Sequence, residues 1–282
     1  VVQNADIIHI HWINQGFLSL TDIKKLIALR KPIVWTMHDM WPMTGICHHS
    51  WGCKRYQTQC GHCPFLHSNK ESDLSTITWK KKQFMKDSKI QLVAVSSWLA
   101  SLSKESFLTK DLDVKVIPNV IDTTIFTPKN RNEMRDLHSL PNDKKIIVVG
   151  AARLNDPIKG FEYLMKAITI LSKKRSDIFL ILFGGIKHDA SFLSKIPIPY
   201  KYFGSLNDPS IISQIYSAAD VTVVSSHYET FGQTIIEGMA CGSPAVSFDN
   251  SGQTDIIDHQ INGYLAKYKD ADDLAAGIEW VI

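Results

Sequence analysis

The chain of 282 residues predicts an α/β fold of two domains, each a parallel sheet built from βαβ units. Three observations lead there. Short apolar runs recur along the chain and most are followed by a segment of helical period, the alternation that builds parallel sheets. The length suits two domains at roughly 100–200 residues each. Between residues 118 and 145 the alternation lapses into a polar stretch carrying Pro118, Pro128 and Pro141, the composition of a connection. The division is therefore a first domain at 1–125, a linker at 126–144 and a second domain at 145–282.

In chain order, residues 6–10 (DIIHI) predict a short buried strand, 20–29 a helix and 32–37 (PIVWTM) a second strand. Residues 38–72 have no clear period, and loops of that length are usually functional. A polar amphipathic helix is expected at 74–86, a strand at 91–96, and a helix at 98–104 capped by Ser97. Residues 114–117 form the next strand. Beyond the linker, strands fall at 145–151, 178–183, 200–203, 221–225 and 245–248, and helices at 160–172, 209–218, 233–240 and 270–282. The first half offers about four strands and the second five or six, near the usual sheet size. The chain opens without Met and its first strand starts about five residues in. The first domain is thus expected to have lost an opening βαβ unit.

Composition narrows the function. The 31 basic and 28 acidic residues leave a net charge of +3, too little for a nucleic-acid binder, whose footprint is a basic stripe or patch. The basic runs KKK at 80–82 and KKR at 173–175 predict solvated helix faces, with peripheral contact to an anionic membrane as the minor option. No apolar run nears the ~18 residues of a membrane-spanning helix, and the opening VVQNADIIHI is not a signal peptide. Four of the five cysteines cluster, unlike a spread disulfide framework, which points to a reducing, cytoplasmic compartment.

The chemistry is expected where strands end and helices begin, since ligands of open α/β sheets sit at strand carboxyl ends and anions at helix N-termini. In VTVVSSHYETFGQTIIEGMACG a strand ends near Ser226 and a helix starts at about Gln233. Backbone N–H groups at Phe231, Gly232 and Gln233 would then face an anion. Glu229 and Glu237 flank that point, and carboxylates beside a bound anion suit hydrogen bonds from sugar hydroxyls. In GAARLNDPIKG (150–160), Arg153 and Lys159 sit in the loop after the second domain's first strand, where cations complement phosphates.

Together these segments resemble the retaining family 4 glycosyltransferases, which have the two-domain GT-B fold of two Rossmann-like domains facing a cleft. ETFGQTIIEG matches the family's E-x7-E motif. VIPNVIDTTIF, ARLNDPIKGFEYL, FGSLNDPSIISQIYSAADVTVVSS, GMACGSPAVSF and INGYLA follow the family's order. WTMHDMWPMTG with the cysteines after it resembles a bacterial subgroup linked to surface-polysaccharide assembly. The resemblance implies a nucleotide-sugar donor, UDP- or GDP-linked, and a glycan or lipid-linked acceptor. It implies Arg153 and Lys159 on the diphosphate, Glu229 on the transferred sugar, Glu237 on the ribose, and the Phe231–Gln233 backbone on diphosphate and sugar. Gly184 and Gly185 would line the nucleotide pocket, the backbone near Leu206 would meet the base, and His38 would face the donor sugar. No cofactor is then required for catalysis. The sequence departs from the family with Ser225-Ser226 where a Pro-Ser is common and Ser251-Gly252 where a Gly-Gly is common.

CHHSWGCKRYQTQCGHC (47–63) is the other feature. Cys47, Cys53, Cys60 and Cys63 are spaced C-x5-C-x6-C-x2-C. The last pair is good zinc geometry and four thiolates would close a structural site; disulfides or free thiols are the alternatives. Cys241 is expected as a small buried residue. His9 and His11 share a strand face, and Trp12, Trp41 and Trp51 suit either packing or sugar stacking. Asp111-Leu112-Asp113 is a weak metal motif before an edge-like strand. Two other functions compete with the transferase: a zinc-stabilised interaction or nucleic-acid-binding module, and a nucleotide-sugar epimerase of the same fold.

Overall fold

The computed structural model describes residues 2–187 and 190–282. The chain divides into two compact units, residues 1–118 and 119–282, each an α/β unit around a parallel sheet.

In unit 1, β1 (Ile8–Ile10), β2 (Ile33–Met37), β3 (Ile90–Ala94) and β4 (Val114–Val116) form a parallel sheet in the order β1-β2-β3-β4. Ile33, Trp35, Met37, Leu92 and Ala94 are buried. Helix α1 (Leu20–Ala28) opens with a capping box between Ser19 and Asp22 and buries Ile23. Helix α2 (Leu74–Lys81) is capped by Asp73 and gives way to a 3₁₀ turn at Gln83–Met85, so the helix expected at 74–86 is two pieces. Helix α3 (Ser97–Glu105) is capped by Ser96, not Ser97: the Ser96 hydroxyl accepts from the Leu99 N–H. Ser96 has the extended backbone an N-cap needs, whereas Ser97 is already helical.

Unit 2 carries α4 (Arg131–Leu137), β5 (Lys145–Arg153), α5 (Phe161–Ser172), β6 (Ile178–Gly185), β7 (Tyr200–Tyr202), α6 (Pro209–Ala218), β8 (Val221–Val224), α7 (Gln233–Ala240), β9 (Ala245–Phe248), β10 (Gly263–Ala266) and α8 (Ala271–Val281). Its parallel sheet runs β10-β9-β8-β5-β6-β7. Helices cover both faces, and the period-2 alternation of the central strands shows it. Ile147, Val149, Leu180 and Leu182 pack with Leu164 and Ile168 of α5 and Leu274 and Ile278 of α8. Their neighbours Ile146, Val148, Ile181 and Phe183 pack on the opposite face with Ile215 and Tyr216 of α6. Cys241 is buried there, as its sequence setting predicts.

Two elements escape the sequence pattern. Strand β10 adds an edge to β9. Helix α4 lies inside the stretch expected to be a linker, capped by Asn130. The boundary falls after Pro118, and residues 119–144 belong to unit 2. The reason is Arg135. Its guanidinium, 5% exposed, pairs with Asp220 at 2.7 Å and donates to the carbonyls of Ala218, Asn142 and Lys144. Asp220 in turn accepts from the Ile146 N–H of β5 at 2.7 Å. One buried cation thus ties α4 to the loop before β8 and to the sheet.

Removing one partner of a buried, hydrogen-bonded pair typically costs about 3–5 kcal/mol. Arg135→Ala is therefore expected to lower the urea midpoint of unit 2 by a corresponding amount. Arg135→Lys should recover only a minor part, since an ammonium cannot reproduce the fork. A loss below about 1 kcal/mol would mean the arginine is no more than a surface ion.

Candidate functional site

The site of unit 2 follows from its topology. Strand β5 is central, with β6 on one side and β8 on the other, so the connections diverge there and leave a crevice above the strand ends. The loops after β5, β6 and β8 all open into it. A small cavity is lined by Gly150, Ala151, Lys159, Phe161, Ser225 and Ser226, among others.

Each predicted residue has a distinct support. A register irregularity between Gly150 and Arg153 ends β5 and sets Arg153 opposite Gly185, the kind of strand-end break that re-aims side chains. Arg153 is half exposed and pairs with Asp156 at 2.8 Å. The following 3₁₀ turn, Pro157–Lys159, is capped by Asp156. Gly160 then takes φ +57, and a Cβ there would collide with the Ser225 carbonyl, so only glycine lets this loop lie against the loop after β8. The two loops are joined by the Ser225 hydroxyl donating to the Lys159 carbonyl (2.9 Å) and by the His227 N–H donating to Ile158 (2.8 Å).

Lys159 and Glu229 meet across this junction at 2.7 Å, their side chains 28% and 16% exposed. Ser226 donates to the same Glu229 oxygen at 2.7 Å. The Glu229 N–H donates to Ser251 Oγ (3.0 Å) and its carbonyl accepts from Gly252 (2.8 Å). Ser226 and Ser251 stand at or beside the positions read as departures from the family, and here they hold the glutamate. Their signal in the sequence is hydroxyls flanking it, which spacing alone does not distinguish from ordinary turn serines.

Helix α7 begins at Gly232 (φ +118) with no side-chain cap, so its first N–H groups are not claimed by a side chain of their own helix. Phe231 is buried, leaving its backbone as the group available to a ligand, and Gln233 is exposed. Glu237 lies one turn further. Burial pushes its carboxyl up to about 7, against a smaller opposing hydrogen bond from Gln233. Gly184 and Gly185 end β6, and the Gly184 N–H donates to the Gly204 carbonyl at 2.7 Å. Leu206, in the loop after β7, packs its side chain on the α6 side of the core. Unit 2 therefore brings Lys159, which lines the cavity, into contact with Glu229, and sets Arg153 opposite Gly185 at the neighbouring strand ends, with α7 following the same β8 loop.

Unit 1 has its own strand-end group. His38 follows β2 and contacts His11 beyond β1, with Nε2 and Nδ1 3.0 Å apart; His9 contacts Thr36 at 2.9 Å. Burial, then the neighbouring His11, holds His38 below the usual histidine range. Asp39 beside it is buried. Burial opposes its ionisation, but hydrogen bonds from His48 (2.6 Å), the Trp41 N–H (2.7 Å) and the Trp12 indole (3.0 Å) outweigh that and lower its pKa. Trp12 is thus a partly exposed ring fixed by its N–H, and Trp41 lies under the Lys82 ammonium at 3.4 Å. Lys82 corrects the expectation of a solvated KKK face: it is 1% exposed and donates to the carbonyls of Trp41 and Thr44.

Cys47, Cys53, Cys60 and Cys63 line one small cavity and none is in a disulfide. Burial first, then its cysteine neighbours, pushes the Cys47 thiol up to about 12. Among the described residues no group of three or more His, Cys, Asp or Glu is set to hold a metal ion, and no helix is long and apolar enough to cross a membrane.

Two parallel α/β units, one with cations and glutamates at its strand switch point, define a protein of the glycosyltransferase type. The chain belongs to the family of Glycosyl transferases group 1, whose pattern matches residues 130–282; residues 2–125 match Glycosyltransferase Family 4. An uncharacterized glycosyltransferase of Methanocaldococcus jannaschii is 26% identical over 246 residues, covering 84% of this chain and 61% of that protein. A sucrose-phosphate synthase structure from Thermosynechococcus elongatus superposes with a TM-score of 0.72 at 22% identity, over 98% of this chain and 66% of that one. Anabaena HepE, solved with UDP-glucose, gives 0.66 at 21% identity, over 99% and 69%. The chain thus spans about three fifths of the curated relative it matches.

Glu237 supplies a pH test. Its folded-state value of about 7 lies above the ordinary 4.5, so the folded chain binds a proton the unfolded chain releases. The stability of the neutral carboxyl is complete below about pH 4.5 and is lost as the pH rises through about 7. Relative to wild type, Glu237→Gln should gain on the order of 1–2 kcal/mol between pH 5 and 8, after discounting for partial exposure. Thermal melts of both proteins across that range check it, and parallel pH curves would contradict it.

Proposed function

We propose that the protein is a retaining glycosyltransferase that moves a sugar from a UDP- or GDP-linked donor to a glycan or lipid-linked acceptor, in cytoplasmic assembly of cell-surface polysaccharide. The observation that carries this is the Lys159–Glu229 pair at the β5/β8 switch point, beside Arg153 and the uncapped start of α7. That set offers two cations and a helix N-terminus to a diphosphate, and a carboxylate to sugar hydroxyls, within one crevice. The group 1 family match and the likeness to HepE, which was solved with UDP-glucose, support the same conclusion.

In this function the donor's diphosphate takes the two cations. Arg153 leaves Asp156 and Lys159 turns from Glu229 to phosphate oxygens, which frees Glu229 for the transferred sugar. As the sugar–phosphate bond breaks, Arg153, Lys159 and the N–H groups of α7 stabilise the growing charge on the nucleoside diphosphate, an electrostatic contribution already in place before reaction. Glu237 accepts from the ribose hydroxyls. The acceptor hydroxyl attacks on the face the leaving group departs, through an oxocarbenium-like transition state, and its proton passes to the departing diphosphate oxygen. The family resemblance assigns His38 to the donor sugar. A phosphorylated acceptor is the second possibility, favoured by the likeness to a sucrose-phosphate synthase.

A thermal-shift panel of UDP- and GDP-sugars tests the function. One nucleotide should stabilise the chain, and Arg153→Ala or Lys159→Ala should each weaken binding by about tenfold or more, the value of a charge-assisted hydrogen bond. Glu237→Ala should lose the preference for the nucleoside over bare diphosphate. No stabilisation by any nucleotide would overturn the proposal. Product analysis with and without acceptor separates transfer from epimerisation.

A further inference from the structure

The cysteine loop stands apart from the proposed donor chemistry, yet hydrogen bonds fasten it to Asp73, Thr76 and Glu105. We propose that Cys47, Cys53, Cys60 and Cys63 bind one zinc ion as thiolates, a structural clasp for the loop between β2 and α2.

Several observations converge. The four cysteines, spread over residues 47–63, come to the wall of a single cavity of about 20 Å³, room for about one water-sized body. They share that wall with the polar side chains of Arg55 and Ser75, and all four are unbridged. The pair Cys60 and Cys63 forms a tight knuckle. Gly61 passes against the Glu71 carbonyl, the His62 N–H donates to the Lys70 carbonyl (2.8 Å) and the Cys63 N–H to Asp73 (2.9 Å). The Gly45 N–H donates to Cys60 Sγ at 3.3 Å, a bond that suits a thiolate better than a thiol. The nearby histidine His48 is engaged with Asp39.

Charge is the second line. Four thiolates around Zn²⁺ carry a net −2, and such a group needs compensation when buried. Lys82 supplies it. Its ammonium is buried, anchored to the carbonyls of Trp41 and Thr44, and close enough to interact electrostatically with Cys47 and Cys60. The Thr44 hydroxyl donates to the Cys47 carbonyl at 2.7 Å, so the cation and the first ligand are held by the same turn. A buried lysine whose carboxylate neighbour, Asp39, is already shared by three donors fits an anionic cluster beside it. Binding replaces four S–H protons with the ion and releases them. As they stand, the described side chains form no group set to hold a metal ion, so binding requires the four sulfur atoms to move together. A closed four-cysteine site has no open position, and the clasp is structural whatever the donor or acceptor.

The test uses the reduced, desalted chain and elemental analysis. About one zinc per chain is expected. The Cys60→Ser/Cys63→Ser double variant should fall below about a tenth of that, while Cys241→Ser, in unit 2, should keep it. Lys82→Met should retain zinc 10–100-fold less tightly against a competing chelating dye, the usual effect of a group supporting a metal's ligands. Cobalt(II) added to the metal-stripped wild-type chain should give the absorption of tetrahedral thiolate coordination, a readout that needs no variant to fold. A reduced wild-type chain holding under about a tenth of an equivalent, with cobalt spectra of a hydrated ion, would overturn the site. So would disulfides among these cysteines, mapped by mass spectrometry in protein kept from reductant and found without metal.

Discussion

The geometry of the unit 2 crevice rests on one close approach, where Gly160 passes the Ser225 carbonyl with no space for a side chain. It lets the loop after β5 lie flat against the loop after β8, where backbone and hydroxyl bonds fasten them. Only then can Lys159 and Glu229, 70 residues apart in sequence, share an ion pair in partial shelter from water. Exposed pairs of this kind contribute little to stability. Its value lies in position: it stores a cation and a carboxylate in alignment, each satisfied by the other until an anionic ligand arrives.

The two units apply the same rule with different chemistry. In each, polar groups gather where parallel strands end, because helices cover the faces and leave the strand ends as the open edge of the layer. Unit 2 places cations and glutamates there, and unit 1 places His11, His38 and the hydrogen-bonded Asp39. Each unit also buries a cation. Arg135 and Lys82 both donate to backbone carbonyls of irregular segments, which need partners once removed from water. Irregular chain is thereby held in place by side chains where no ladder can hold it.

Most of the fold was legible from the sequence because parallel strands buried on both faces read as apolar runs, and those of unit 2 alternate with long amphipathic helices. The placement of Arg153, Lys159 and Glu229 in loops at strand ends was legible for a similar reason, since the strands before them are apolar runs. What escaped was long-range compensation. Helix α4 looked like linker since its composition is polar and prolines flank it, and the partner of Arg135 lies 85 residues away. Lys82 looked like one of three solvated lysines, and nothing local reveals that the third turns inward over Trp41. Ser226 and Ser251 are ordinary turn residues until the fold brings both to Glu229. Periodicity reports which face is apolar, and it cannot report which charged residue finds a buried partner.

The burial of Arg135 bears on how such chains can be shuffled in evolution. A recombination junction near residue 144, where the composition changes, would leave Arg135 buried and unpaired in a hybrid whose other half lacked an acidic residue at the position of Asp220. A junction at 118 keeps both halves of the pair in one inherited block. A seam at 118 is therefore favoured by a single guanidinium, 26 residues upstream of the place near 144 where the sequence changes character.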